Sequence, residues 1–108
     1  MRYITPPSEE QKLIQSFGDK DLEKCWVDGK CASVRGDLRE RVLRKLDLMH
    51  AAVCVEDLNN PPSNHLHSLH GELEGYWAIR VSGAWRLIFT IDQEGGFFLG
   101  DVELIQYH

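Results

Sequence analysis

The side chains best suited to chemistry lie in the second half of the chain: His67, Arg86 and the terminal pair Tyr107 and His108. Two imidazoles can act as general base and general acid, because the pKa of histidine lies near neutral. A guanidinium stays charged and its donors match phosphoryl oxygens, and a tyrosine offers a hydroxyl or a ring for stacking. These residue types suit metal-independent cleavage of an RNA phosphodiester.

Residue types alone do not decide the function. An isolated histidine is more often a surface or structural residue, and a strand arginine more often makes a salt bridge. The formal net charge is −5, and residues 50–108 hold only Arg80 and Arg86 as permanent cations against eight acidic residues. Since proteins that bind RNA phosphates usually carry a basic face, the acidic second half argues against this chemistry.

The elements that position these residues are predicted from local patterns. At 108 residues the chain makes one domain, with residues 1–11 as an extended tail and residues 12–108 as the folded part. The alternation over Lys12 to Phe17 indicates a short first strand. Asp19 is placed to cap a helix over Lys20 to Val27, which Gly29 ends.

A second helix is predicted from Leu38 to Ala51, with Asp37 and Glu40 at the spacing of a capping box. Its polar face carries four cations, which most often means a solvated surface but also fits a partner or RNA. These cations are Arg39, Arg41, Arg44 and Lys45.

Period-two patterns then predict strands over residues 76–81, 85–91 and about 97–105, with Gly83 in a tight hairpin turn. The alternation puts Arg80 and Arg86 on the faces opposite their tryptophan neighbours. The fold class is therefore α+β: an N-terminal short strand and two helices packed on an antiparallel sheet of three to four strands.

The three cysteines, Cys25, Cys31 and Cys54, cannot all pair and form no Cys-x-x-Cys unit, so we expect free thiols. No window has the length of a membrane span, and the first residues lack the apolar run of a secretory signal. We therefore expect a cytoplasmic protein without membrane contact.

Several motifs of the chain resemble the HigB-type killer toxins of the RelE superfamily, over roughly residues 13–108. Residues 66–71 read Leu-His-Ser-Leu-His-Gly, residues 75–81 Gly-Tyr-Trp-Ala-Ile-Arg-Val, residues 85–89 Trp-Arg-Leu-Ile-Phe, and residues 106–108 Gln-Tyr-His. His70 stands where the family has lysine, and Gln106 where its terminal motif has aspartate. Both departures fall on functional positions.

The resemblance implies a compact RelE-like domain that cleaves messenger RNA on the ribosome by 2′-OH attack, inhibiting translation and growth without metal or cofactor. It assigns the catalytic histidine to His67, the phosphate-binding arginine to Arg86, and the terminal aromatic and imidazole to Tyr107 and His108. His70 and Arg80 are expected as further RNA contacts. The implied partners are the ribosome, messenger RNA and a HigA-like helix-turn-helix antitoxin, with operator DNA reached only through the antitoxin.

Two alternatives use the same residues. The acidic balance fits a RelE-fold protein of weak or absent activity that binds its antitoxin and modulates operon repression. Alternatively, His65 and His67 on one strand would project to the same face, where His70 could complete a zinc-like or nickel-like site.

Overall fold

The computed structural model describes residues 13–106, so the predicted tail and the terminal Tyr107 and His108 lie outside the described residues. Within residues 13–106, two helices precede a four-stranded antiparallel sheet whose strands lie side by side in sequence order. The helices are α1 (Lys20–Asp28) and α2 (Arg39–Ala51). The strands are β1 (His67–Ser68), β2 (Trp77–Ser82), β3 (Trp85–Asp92) and β4 (Phe98–Gln106). Short 3₁₀ segments occupy Val55–Asn59, Pro62–Asn64 and Gly71–Leu73. The predicted α+β class is confirmed.

Local signals fix both ends of α1. The Asp19 carboxylate accepts hydrogen bonds from the backbone N–H groups of Asp21, at 3.0 Å, and Leu22, at 3.3 Å. Gly29 has a left-handed φ of 74° and donates its N–H to the carbonyl of Cys25. The cap satisfies donors that the first turn leaves without helical partners, and the glycine ends the helix without a Cβ clash.

Replacing Asp19 by alanine should lower the free energy of unfolding by about 1 kcal/mol, because the two amide donors lose their acceptor. Urea denaturation measures this change. Asp21→Ala is the matched control, since it removes a carboxylate from the same turn but no side-chain cap. Equal losses in the two variants would assign the effect to charge near the helix end and contradict the cap.

The predicted capping box of α2 is wrong. Leu38 occupies the N-cap in a helical conformation and its side chain makes no cap hydrogen bond. The Asp37 carboxylate instead pairs with Arg35 at 2.7 Å, and Glu40 pairs with Arg44 at 2.9 Å. Leu38 is buried in the core, so packing of its side chain fixes this end of the helix where a polar cap was expected.

The two faces of the sheet have different neighbours. Ile79 and Leu87 face the main core, where they pack with buried residues of both helices. Ala78 and Ile88 lie on the opposite face in a small second cluster with Leu69. We call the face turned away from the helices the outer face. The predicted hairpin is confirmed, and Gly83 in its turn has a φ of 56°.

The predicted first strand is replaced by two isolated parallel bridges, Ile14 to Leu99 and Phe17 to Val102. Asp101 lies between the two bridge positions on β4 with a φ of 50°. This left-handed residue bends β4, so the ladder breaks and no continuous strand forms over residues 13–17. The two-residue β1, in contrast, was not predicted, because so short a strand leaves no alternation to detect.

The expectation of free thiols is wrong for two of the three cysteines. Cys25 and Cys31 form a disulfide with a Cα to Cα distance of 4.2 Å, while Cys54 is a free thiol. The left-handed Gly29 reverses the chain after α1 and returns Cys31 toward the helix. Counting cysteines and searching for Cys-x-x-Cys could not show this local reversal. Neither helix within residues 13–106 is long and apolar enough to span a bilayer.

Candidate functional site

Three of the predicted site residues lie on the outer face. His67 is the register partner of Ala78, and Arg80 is the partner of Arg86. Ala78 and Arg80 are two positions apart on β2, so both lie on the outer face. Their register partners, His67 and Arg86, therefore lie on the outer face as well. Directly opposite Cβ atoms lie about 5 Å apart and diagonal ones about 7 Å. Arg80 is therefore the central member, opposite Arg86 and diagonal to His67. We call these three residues the outer-face site.

His67 is half-buried at the start of β1, and its ring orientation is set locally. Its Nδ1 lies 2.7 Å from the carbonyl oxygen of His65. Because a carbonyl only accepts, this contact requires the proton on Nδ1, and in the neutral ring the lone pair then lies on Nε2. The ring therefore has the tautomer that a general base needs at Nε2.

Arg86 is held by its own hairpin. Its Nη1 atom donates to the carbonyl of Gly83 at 2.7 Å and to that of Trp85 at 3.1 Å. Its Nε is buried and has no partner among the described residues. The turn thus fixes the guanidinium, and a cation held in advance can stabilise developing negative charge with little reorganisation.

The other end of the outer face is acidic. Tyr76, immediately before β2, is half-buried in the small cluster. Burial, followed by the charges of Asp101 and Glu103, raises the pKa of its phenol. The phenol is therefore neutral at physiological pH and can donate a hydrogen bond. No role for Tyr76 was predicted, although it belongs to the Gly-Tyr-Trp motif, because the two carboxylates are distant from it in sequence.

Ultraviolet titration of the phenols should show one tyrosine with a pKa above the ordinary value of 10.0, and Tyr76→Phe should remove that component. The raised pKa also favours the folded state below pH 10, a contribution that is lost as pH rises through the folded-state pKa. Glu103→Gln should shift the phenol only partly toward its ordinary pKa, since burial is the larger cause. If Glu103→Gln returned the pKa of Tyr76 fully to 10.0, burial could not be the larger cause of the raised pKa.

The remaining predicted residues differ in position. His70 is exposed directly before the 3₁₀ turn Gly71–Leu73. Tyr107 and His108 lie outside the described residues, and the described part of β4 ends at Gln106, the register partner of Trp85.

The structure removes the basis of the metal-site alternative. His65 is not on a strand but ends the 3₁₀ turn Pro62–Asn64 with a φ of 50°, so it does not share a strand face with His67. Across residues 13–106, no three His, Cys, Asp or Glu side chains are grouped to hold a metal ion.

A cationic pocket of about 280 Å³ lies beside the outer-face site, and the sequence analysis did not predict this pocket. It is lined by Arg41, Arg44 and Lys45 of α2, by Ser63, and by Arg80 and Val81 of β2. Burial foremost, then the charges of Arg44 and Arg41, lowers the pKa of Lys45. The basic helix face was visible in the sequence. Its meeting with Arg80 depends on how α2 packs against the sheet.

Comparison with known proteins identifies the family. The sequence-family model described as RelE-like toxin of type II toxin-antitoxin system HigB matches residues 15–98. This chain belongs to the HigB-like toxin family. It is therefore a toxin of the type II class, and an antitoxin is its partner.

Curated relatives agree with this HigB-like assignment. Toxin HigB-1 of Vibrio cholerae is 38% identical over 78 residues, covering 71% of this chain and 82% of that protein. Endoribonuclease HigB of Proteus vulgaris is 30% identical over 95 residues, covering 88% and 96%. Among solved structures, a YoeB/ParE toxin from Agrobacterium tumefaciens aligns at a TM-score of 0.46 and 16% identity, covering 91% and 99%.

Proposed function

We propose that this HigB-like toxin is an endoribonuclease that cleaves messenger RNA on the ribosome without a metal ion. The observation that carries the proposal is the grouping of His67, Arg80 and Arg86 on one face of the sheet. Like charges directly opposite on neighbouring strands destabilise a sheet, so the Arg80 and Arg86 pair is best explained by an anion that binds between them. The name of the Proteus vulgaris relative supports the same activity.

In the proposed reaction the 2′ oxygen attacks the adjacent phosphorus, and the bond from phosphorus to the 5′ oxygen breaks. A base takes the 2′-OH proton and an acid protonates the leaving 5′ oxygen, giving a 2′,3′-cyclic phosphate and a 5′-hydroxyl end. His67 and His108 are the proposed base and acid, in either order. Arg86 stabilises charge on the phosphoryl oxygens, and Tyr107 positions the substrate.

Arg80 and His70 are proposed as further phosphate contacts, and Arg80 has the stronger support because it lies between His67 and Arg86. The proposed partners are the ribosome, messenger RNA and a HigA-like helix-turn-helix antitoxin, with operator DNA reached only through that antitoxin. These partners place the toxin in the cytoplasm in this proposal.

The second candidate is a toxin-fold protein that binds its antitoxin with little or no cleavage. It is favoured by Asp101 and Glu103, whose charges reach the outer face at Tyr76 and would repel a phosphate chain there. Gln106 and His70, which replace a carboxylate and a permanent cation of the family pattern, favour it as well.

One experiment separates the two candidates. The toxin is induced with and without its antitoxin, and transcript 5′ ends are mapped in both cultures. The nuclease predicts growth arrest and new 5′ ends inside translated codons, both suppressed by the antitoxin. Normal growth with unchanged 5′ ends would refute the nuclease and support the second candidate, a toxin-fold protein that acts by binding its antitoxin.

A further inference from the structure

The cationic pocket brings together groups from three parts of the chain. Arg41 and Arg44 come from α2, Ser63 from the turn before β1, and Arg80 from β2. A pocket of about 280 Å³ lined by four permanent or protonated cations and one hydroxyl has the composition of an anion site. None of the described residues that line it is a carboxylate.

Hydrogen bonds fix part of this lining. Arg41 donates from Nη1 to the hydroxyl of Ser82 at 3.0 Å. Lys45 donates to the side-chain carbonyl oxygen of Asn64. Asn64 is fully buried, and its side-chain amide N–H donates to the Leu58 carbonyl at 3.0 Å. Two of the cations are therefore held in place by α2, β2 and the turn. Mutual repulsion among them is relieved when an anion binds.

The pocket is continuous with the outer-face site through Arg80. β1 pairs only with Trp77 and Ala78, so among the described residues no strand covers β2 beyond Ala78 on that side. Arg80 lies on this uncovered edge, lines the pocket, and is the register partner of Arg86. A line of cations thus runs from α2 around the edge of β2 to the outer face.

We infer that the cationic pocket binds a backbone phosphate of the same single-stranded RNA whose scissile phosphate lies at the outer-face site. The inference rests on the proposed function, since it names a second contact of that substrate. Its role is to fix the strand by charge, without reading bases, because Arg and Lys contacts to phosphates carry no sequence information. It also explains how a chain of net charge −5 could hold RNA, since five of its twelve Lys and Arg residues lie along one path: Arg41, Arg44, Lys45, Arg80 and Arg86.

Salt dependence of binding tests the inference directly. The probe is a short single-stranded RNA with 2′-O-methyl groups, which binds but offers no 2′-OH for cleavage. For single strands the slope of log K against log salt is about −0.7 for each phosphate contact. Fluorescence anisotropy at several salt concentrations should therefore show the slope of Arg44→Gln to be shallower than wild type by about 0.7.

Arg39→Gln is the matched control, because it removes the same charge from the same helix but lies outside the pocket lining. Its slope should equal that of wild type. Arg44 is well exposed and its salt bridge is to the exposed Glu40, so its substitution should leave thermal unfolding unchanged. Equal changes in the two variants would overturn the inference, because they would reflect net charge alone.

Two further arms identify other occupants. Loss of antitoxin affinity in Arg44→Gln with an unchanged RNA slope would overturn the inference and assign the pocket to acidic side chains of the antitoxin. An unchanged slope with lost binding to empty ribosomes would overturn it in favour of ribosomal RNA. The proposed nuclease is judged separately by growth arrest and mapped cuts, so a shallower slope with no cuts retains the subsite and rejects the cleavage.

Discussion

We expect Arg86→Ala to lower kcat for RNA cleavage by about 10²-fold or more, with a smaller change in KM, because in the proposed reaction the arginine acts mainly on charge that develops in the transition state. The hairpin carbonyls of Gly83 and Trp85 already hold its guanidinium, so alanine removes a positioned cation. Steady-state cleavage of a reporter transcript on ribosomes measures kcat and KM. Antitoxin binding and thermal unfolding show whether the fold is retained.

The control for this variant is Arg35→Ala. Arg35 belongs to the segment before α2 and pairs with the exposed Asp37. Its guanidinium lies 6.0 Å from the ring centre of Trp85, which is in the same hairpin as Arg86. It removes an equal charge near the hairpin and should leave kcat unchanged. Cells expressing Arg86→Ala that arrest growth as wild type does would contradict the assignment.

His67→Ala should lower kcat by about 10² to 10⁴-fold, the usual contribution of a positioned acid or base. The reason is local, since the contact of Nδ1 with the His65 carbonyl directs the lone pair of the neutral ring to Nε2. The same ribosomal assay measures the loss. In cells, the variant should no longer arrest growth.

His65→Asn is the matched control for His67. It removes a neighbouring imidazole but keeps the backbone carbonyl that orients His67, and asparagine tolerates the left-handed φ of 50° at this position. Cleavage should continue at the wild-type rate. If His67→Ala retained full cleavage while His65→Asn lost it, the imidazole assignment would be wrong.

Elements with short-range signals were predictable. Asp19 and Gly29 mark α1 because a cap acts within three residues, and Gly83 marks the hairpin because its φ is set by the turn itself. The capping box of α2 failed although its spacing was correct. The carboxylate of Asp37 had a nearby cation to pair with, and burial of Leu38 decided the start of the helix.

The candidate site divides in the same way. The side-chain types pointed to phosphodiester cleavage at four positions: His67, Arg86, Tyr107 and His108. The family resemblance supplied the catalytic role of each. Nothing in the sequence indicated that Arg80 lies between His67 and Arg86, because that position follows from the register of three strands. A slip of one residue would turn every second side chain to the core.

The sequence by itself determined the kinds of groups, the two helices, the hairpin and the family, since each depends on neighbours along the chain or on a short motif. Tertiary structure alone decided which cations meet. Arg80 reaches the basic face of α2 only because that helix packs on the sheet beside the edge that β1 leaves uncovered. Arg80 and Lys45 line the same pocket although they are 35 positions apart, and no local pattern encodes such a grouping.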